Sequence, residues 1–71
     1  MFYTSSIDEL LQRLDGIEYD KAILDGCLNI RNEYADNSAL WFDKNGEYIS
    51  YGVSVCINNK WEKCYSETIK L

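Results

Sequence analysis

The sequence predicts an α+β fold: an N-terminal helix packed on one face of an antiparallel β-meander, with a second helix over residues 19–34 as one of two open readings. Three observations carry this. A capped apolar stripe at helical spacing lies near the start, a period-two alternation runs from Ile49 to Ile57, and two Asn-containing turn signals divide the second half into strands.

The first element is the plainest. Ser6 with Glu9 three residues on forms a capping box, and Ile7, Leu10, Leu11 and Leu14 follow on one helical face. Gly16 supplies the left-handed position beyond the helix, with Ile17 folding back on it. The helix is expected from Ile7 to Asp15.

The segment from Glu18 to Tyr34 reads two ways. Tyr19, Ile23, Cys27, Ile30 and Tyr34 recur at helical steps. Against that, Asp25-Gly26 is a hairpin turn signal, and Leu28 and Ile30 alternate as in a strand. A glycine inside a helix also costs about 1 kcal/mol relative to alanine. Helix and hairpin stay open here.

From Ala39 the chain reads as a meander. With Asn45-Gly46 as a two-residue loop, Phe42 faces Ile49 and Leu40 faces Tyr51. For the second hairpin, a two-residue Asn58-Asn59 loop would set Val53 opposite Cys64. A three-residue loop ending at Lys60 sets Ile57 opposite Trp61, Val53 opposite Tyr65 and Ile49 opposite Ile69. One residue of slip flips every side chain, so the apolar pattern selects the longer loop.

The expected inner face is then Leu40, Phe42, Ile49, Tyr51, Val53, Val55, Ile57, Trp61, Tyr65 and Ile69, packed on Ile7, Leu10, Leu11 and Leu14. The expected outer face is Ala39, Trp41, Tyr48, Ser50, Gly52, Ser54, Cys56, Cys64, Ser66 and Thr68. Cys56 and Cys64 become diagonal neighbours there, and free thiols are expected.

Seventy-one residues, 46% of them apolar, suit one domain spanning 1–71. A chain this short buries only about 60% of its unfolded surface, so each core contact matters. MFYTSSIDELL has no basic start and no long apolar run, and no stretch approaches a membrane span. Three sparse cysteines are not a disulfide framework. A cytoplasmic protein with no membrane association is the expectation.

Twelve acids oppose seven bases, a net charge of −5. Ten of the acids fall at or before Glu47, against Arg13, Lys21, Arg31 and Lys44. That balance argues against direct nucleic-acid binding and leaves a protein with a basic surface as the natural partner.

Catalytic equipment is missing from the sequence. Histidine is absent, which removes the commonest general base and metal ligand. The cysteines lack zinc spacing, and each glycine fits a cap, turn or strand rather than a phosphate loop. DKNGEY, residues 43–48, is a turn without the alternating oxygens of a calcium loop. No enzyme activity, cofactor or metal is expected.

Two surfaces are left as candidate partner-binding sites. One is the carboxylate array Asp8, Glu9, Asp15, Glu18, Asp20 and Asp25; the other is Trp41 with Tyr48 among small residues on the outer sheet face. The general character is that of small phage or mobile-element proteins that inhibit host enzymes by stoichiometric binding. The expected function is a protein-binding inhibitor that blocks a basic, nucleic-acid-handling surface of a host defence protein, such as a CRISPR effector. An immunity or antitoxin protein that plugs a toxin is the alternative. A third is a homodimer or small ligand-binding oligomer built through the outer sheet face.

Overall fold

Ser6 opens the first helix as its position predicts. The computed structural model describes Met1–Leu71, and in it α1 spans Ile7–Arg13, with the Ser6 hydroxyl accepting from the Glu9 amide at 3.4 Å. Only half of the capping box forms. The Glu9 carboxylate accepts from the Thr4 hydroxyl (3.1 Å), and the Ser6 amide donates to Thr4 Oγ1 (3.0 Å), so Thr4 takes the role expected of Glu9. The helix ends short of Asp15, at a Leu14 cap. Gly16 then takes φ +77 and the Ile17 amide closes on the Leu14 carbonyl at 3.0 Å.

Thr4 belongs to a strand the hydropathy pattern did not reveal. β1 (Phe2–Thr4) pairs antiparallel with β2 (Ser38–Asn45) and makes the sheet four-stranded, in the order β1-β2-β3-β4. Three residues are too few for a periodic signal.

The ambiguous segment is a helix, α2, over Lys21–Tyr34. Asp20 caps it, accepting from the Ala22 amide at 2.8 Å, and Leu24 and Cys27 are buried on its inner stripe. Gly26 is there for packing rather than for a turn. A Cβ on it would come within 2.7 Å of the Tyr65 ring, so glycine lets α2 lie close against the sheet. A 3-10 turn, Ala35–Asn37, leads into β2, and the Ser38 hydroxyl lies 3.0 Å from the Arg31 carbonyl and 2.7 Å from that of Ala35. That hydroxyl serves carbonyls freed at the helix end.

Both hairpin loops differ from expectation, each for a turn-chemistry reason. The β2–β3 loop is Gly46-Glu47, with Gly46 at φ +57 in the first central position, where a type II′ turn places glycine. Phe42 therefore pairs with Tyr51 and Leu40 with Val53. The shift is two residues, so the faces are unchanged.

The second hairpin, between β3 (Tyr48–Ile57) and β4 (Lys60–Lys70), combines both registers considered. Asn58 (φ 54) and Asn59 (φ 63) form the two-residue loop, with Ile57 opposite Lys60 and Cys56 opposite Trp61. Both positive angles suit a type I′ turn, which asparagine tolerates well. A bulge then absorbs one extra residue, Cys64, and restores Val53 to Tyr65 and Ile49 to Ile69. The bulge lets turn and core each have their preferred pairing. Its cost to the expectation is local: Trp61 moves from the inner to the outer face, Ile57 is exposed, and Cys64 stands unpaired in the ladder.

The core lies between the helices and the inner sheet face. Leu10 and Leu14 of α1 and Leu24 and Cys27 of α2 meet Leu40, Phe42, Ile49, Tyr51 and Val53. Leu11, expected to join them, lies at the surface. No helix is long and apolar enough to cross a membrane.

A polar tie fastens α2 to this core. The Tyr51 hydroxyl lies 3.1 Å from the Asp20 carbonyl and 3.2 Å from Glu67 Oε1, and the Asp20 amide donates to the same carboxylate oxygen at 3.5 Å. Tyr51 is fully buried, with Tyr19 edge-on to its ring at 6.2 Å. Burial, then the Glu67 charge, raise its pKa well above the usual phenol value.

Candidate functional site

Helices cover one face of the sheet and leave the other open, so the two candidate surfaces sit on opposite sides of the molecule. On the helical side, Asp8, Leu11, Gln12 and Asp15 follow at three- and four-residue steps and line a shallow exposed groove along α1. Glu9, Glu18 and Asp25 are also exposed. Asp20 is exposed but engaged as the α2 cap, which removes it from the free array.

Two of the four cations of this half, Arg13 and Arg31, turn to the protein itself. The Arg13 guanidinium stacks over the Phe2 ring at 4.0 Å. Arg31 donates to the Ser5 carbonyl at 2.9 Å and to Asn32 Oδ1 at 3.2 Å, fastening α2 to the segment before α1, while its Nε is buried without a partner. The stripe from Asp8 to Asp15 thus carries two carboxylates around a half-exposed leucine and a glutamine, with no cation among its lining residues.

The outer face differs from the expected patch. Trp41 and Tyr48 are not neighbours: Trp41 pairs with Gly52 and Tyr48 with Asn45. They stand four residues apart along the ladder, roughly 13 Å at ~3.3 Å per residue. Tyr48 is exposed, whereas Trp41 is only 3% exposed although no helix covers it.

What surrounds Trp41 is a cleft of about 500 Å³ lined by Tyr3, Ala39, Ser54, Trp61 and Lys63. Pairing explains its shape. Ala39, Ser54 and Lys63 lie in one row across β2, β3 and β4; Tyr3 stands beside Trp41 at the β1 edge, and Trp61 beside Cys56 on β4. Small residues on the central strands make a floor, and aromatic residues on the edge strands make walls. The Lys63 ammonium rests over the Trp41 ring at 4.5 Å, and the Trp41 indole N–H is buried with no acceptor. An unpartnered buried donor costs about 1–3 kcal/mol. Tyr3 and Trp61 are each more than half exposed.

Sequence reasoning missed Tyr3, Trp61 and Lys63. Tyr3 sits on the unforeseen strand, and Trp61 was given the wrong face by the loop. The available signal was Asn58-Asn59 itself, a strong I′ pair that fixes Trp61 outward if a bulge is allowed to follow.

The thiols are graded by burial. Cys27 is fully buried and points its S–H at the Tyr65 carbonyl, 3.9 Å away. Burial, with Cys64 nearby, pushes it up to about 11, and burial also raises Cys64. No group of three or more Cys, Asp or Glu side chains converges as a metal site. Comparison with family models, with curated proteins and with solved structures finds no match to this chain.

Proposed function

We propose that this chain is a non-catalytic, stoichiometric inhibitor that binds the basic, nucleic-acid-handling surface of another protein through the acidic side of α1. The observation that supports this reading is the exposed Asp8–Leu11–Gln12–Asp15 stripe, flanked by Glu9 and Glu18, with Arg13 drawn away onto Phe2. Carboxylates on a rigid element can compete with phosphates for a cationic groove, and Leu11 adds apolar contact at the centre. A host defence protein such as a CRISPR effector is the kind of partner this reading names.

The test uses a triple variant, Asp8→Asn, Glu9→Gln and Asp15→Asn, checked for an unchanged melting transition within a few degrees. Wild type immobilised on a matrix should capture a basic protein from host extract at low salt and release it near 0.5 M salt, since surface charge pairs are screened there. The captured protein should lose nucleic-acid binding in the complex, and the triple variant should not capture it. Unchanged affinity of the variant for that partner would sink the reading.

A second reading, a small ligand-binding protein acting through the outer face, is favoured by the aromatic cleft beside Trp41.

A further inference from the structure

We infer that the outer-face cleft is a binding site for a flat anion of the mononucleotide class, independent of the acidic stripe on the opposite side. Three features of the cleft converge on that chemistry. The first is its two aromatic walls, Tyr3 and Trp61, which are 57% and 53% exposed. Aromatic side chains on edge strands offer planar surfaces that a nucleobase covers by stacking, and such stacking is tolerant of base identity.

The second feature is charge. Lys63 is the only charged residue lining the cleft, in a chain of net charge −5. Its ammonium is held over the Trp41 indole, not drawn away to a carboxylate, so it stays within the cleft as a fixed positive point for a phosphate. Only one other lining group is strongly polar at its tip besides the Tyr3 hydroxyl: the Ser54 side chain on the floor, placed between Ala39 and Lys63 by the ladder.

The third is construction. The volume of about 500 Å³ falls within the roughly 300–1,000 Å³ of small-molecule sites. The shape depends on the Asn58-Asn59 turn and the Cys64 bulge, which together turn Trp61 outward and return Tyr65 to the inner face opposite Val53. A whole-face protein interface fits less well, because the outer face away from the cleft carries Asp43, Ser50, Ser66, Thr68 and Lys70 with Tyr48 as its one exposed aromatic, and Ser50 and Thr68 are already hydrogen-bonded to each other at 2.9 Å.

The experiment is a titration followed by the two indole N–H resonances, with adenosine 5′-monophosphate as probe and adenosine and ribose 5-phosphate as its two halves. Saturable shifts of the Trp61 signal are expected with the nucleotide. Adenosine should bind about tenfold more weakly, as loss of one charge-assisted contact requires, and ribose 5-phosphate should not saturate. Trp61→Ala should abolish binding and Lys63→Gln should weaken it about tenfold, with the fold of each confirmed by its remaining spectrum. GMP, CMP and UMP should bind within about tenfold of AMP. The inference is overturned if none of the four nucleotides saturates by about 10 mM, if adenosine matches AMP, or if the Trp61→Ala variant binds like wild type. The acidic triple variant should bind AMP unchanged, so this result and the inhibitor test stand apart.

Discussion

The two faces of this sheet are built on opposite rules. The inner face is closed by apolar packing and by one polar tie, Tyr51 to Asp20 and Glu67, and every large residue at its centre is buried. The outer face buries one indole without a hydrogen-bond partner, keeps three aromatic rings (Tyr3, Tyr48 and Trp61) in solvent, and roofs Trp41 with a lysine. Apolar packing is concentrated where the helices lie, and exposed aromatic surface where they do not. A small domain that leaves aromatic rings exposed on one sheet face is carrying features its core does not need.

The sharpest way to break this contrast is at Gly52, where both faces depend on β3 meeting β4 closely. A Cβ there would collide with the Tyr65 backbone carbonyl and with Ser66, and backbone cannot swing aside. Gly52→Ala should lose about 3 kcal/mol in denaturant unfolding, at the upper end for overpacking. It should also disturb the Trp61 and Trp41 signals together. A loss below about 1 kcal/mol would mean that the close approach is not tight in solution.

Tyr51→Phe isolates the inner face. It removes the one O–H shared by the Asp20 carbonyl and Glu67 while keeping the ring, so about 1–2 kcal/mol should be lost. Amide exchange should rise first at the start of α2, and the outer cleft should be unaffected. Equal protection along α2 in variant and wild type would remove the tie from the account.

The third test of the comparison is alkaline, at the buried Cys27 thiol of the inner face. Cys27 is raised from 9.0 to about 11, so its neutral thiol is favoured in the folded state. The stability this represents is intact below about pH 9 and is lost as the pH rises toward 11, because the unfolded thiol ionises first. Tyr51 acts with the same sign, beginning near pH 10. Cys27→Ala should lower stability at pH 7 yet flatten its decline between pH 9 and 11. An unchanged slope in that window would remove Cys27 as the cause.

How much of this was legible follows from which signals are local. The α1 cap, Gly16 and the alternation of β3 rest on neighbouring residues, and all three stand in the structure. The helix at 21–34 was undecidable locally because Asp25-Gly26 serves a turn and a close helix–sheet contact equally well. Only Tyr65, thirty-nine positions further on, tells them apart. Of the candidate site residues, the exposure of Asp8, Glu9, Asp15, Glu18 and Asp25 could be read from the helical pattern and turns, and the separation of buried Trp41 from exposed Tyr48 could not.

By itself, the sequence determined the α+β class, the capped first helix, which side of each β3 residue faces the helices, and the acidic first half. These depend on periodicity, turn chemistry and composition, which act over a few residues. Tertiary structure alone decided that Phe2–Thr4 joins the sheet, that Gly26 serves a close helix–sheet contact, and that Tyr3, Trp61 and Lys63 meet around Trp41. The reason is the Cys64 bulge: a ladder can satisfy a tight Asn58-Asn59 turn at one end and the core register at the other by setting one residue aside, and no periodic reading of the strand contains that option.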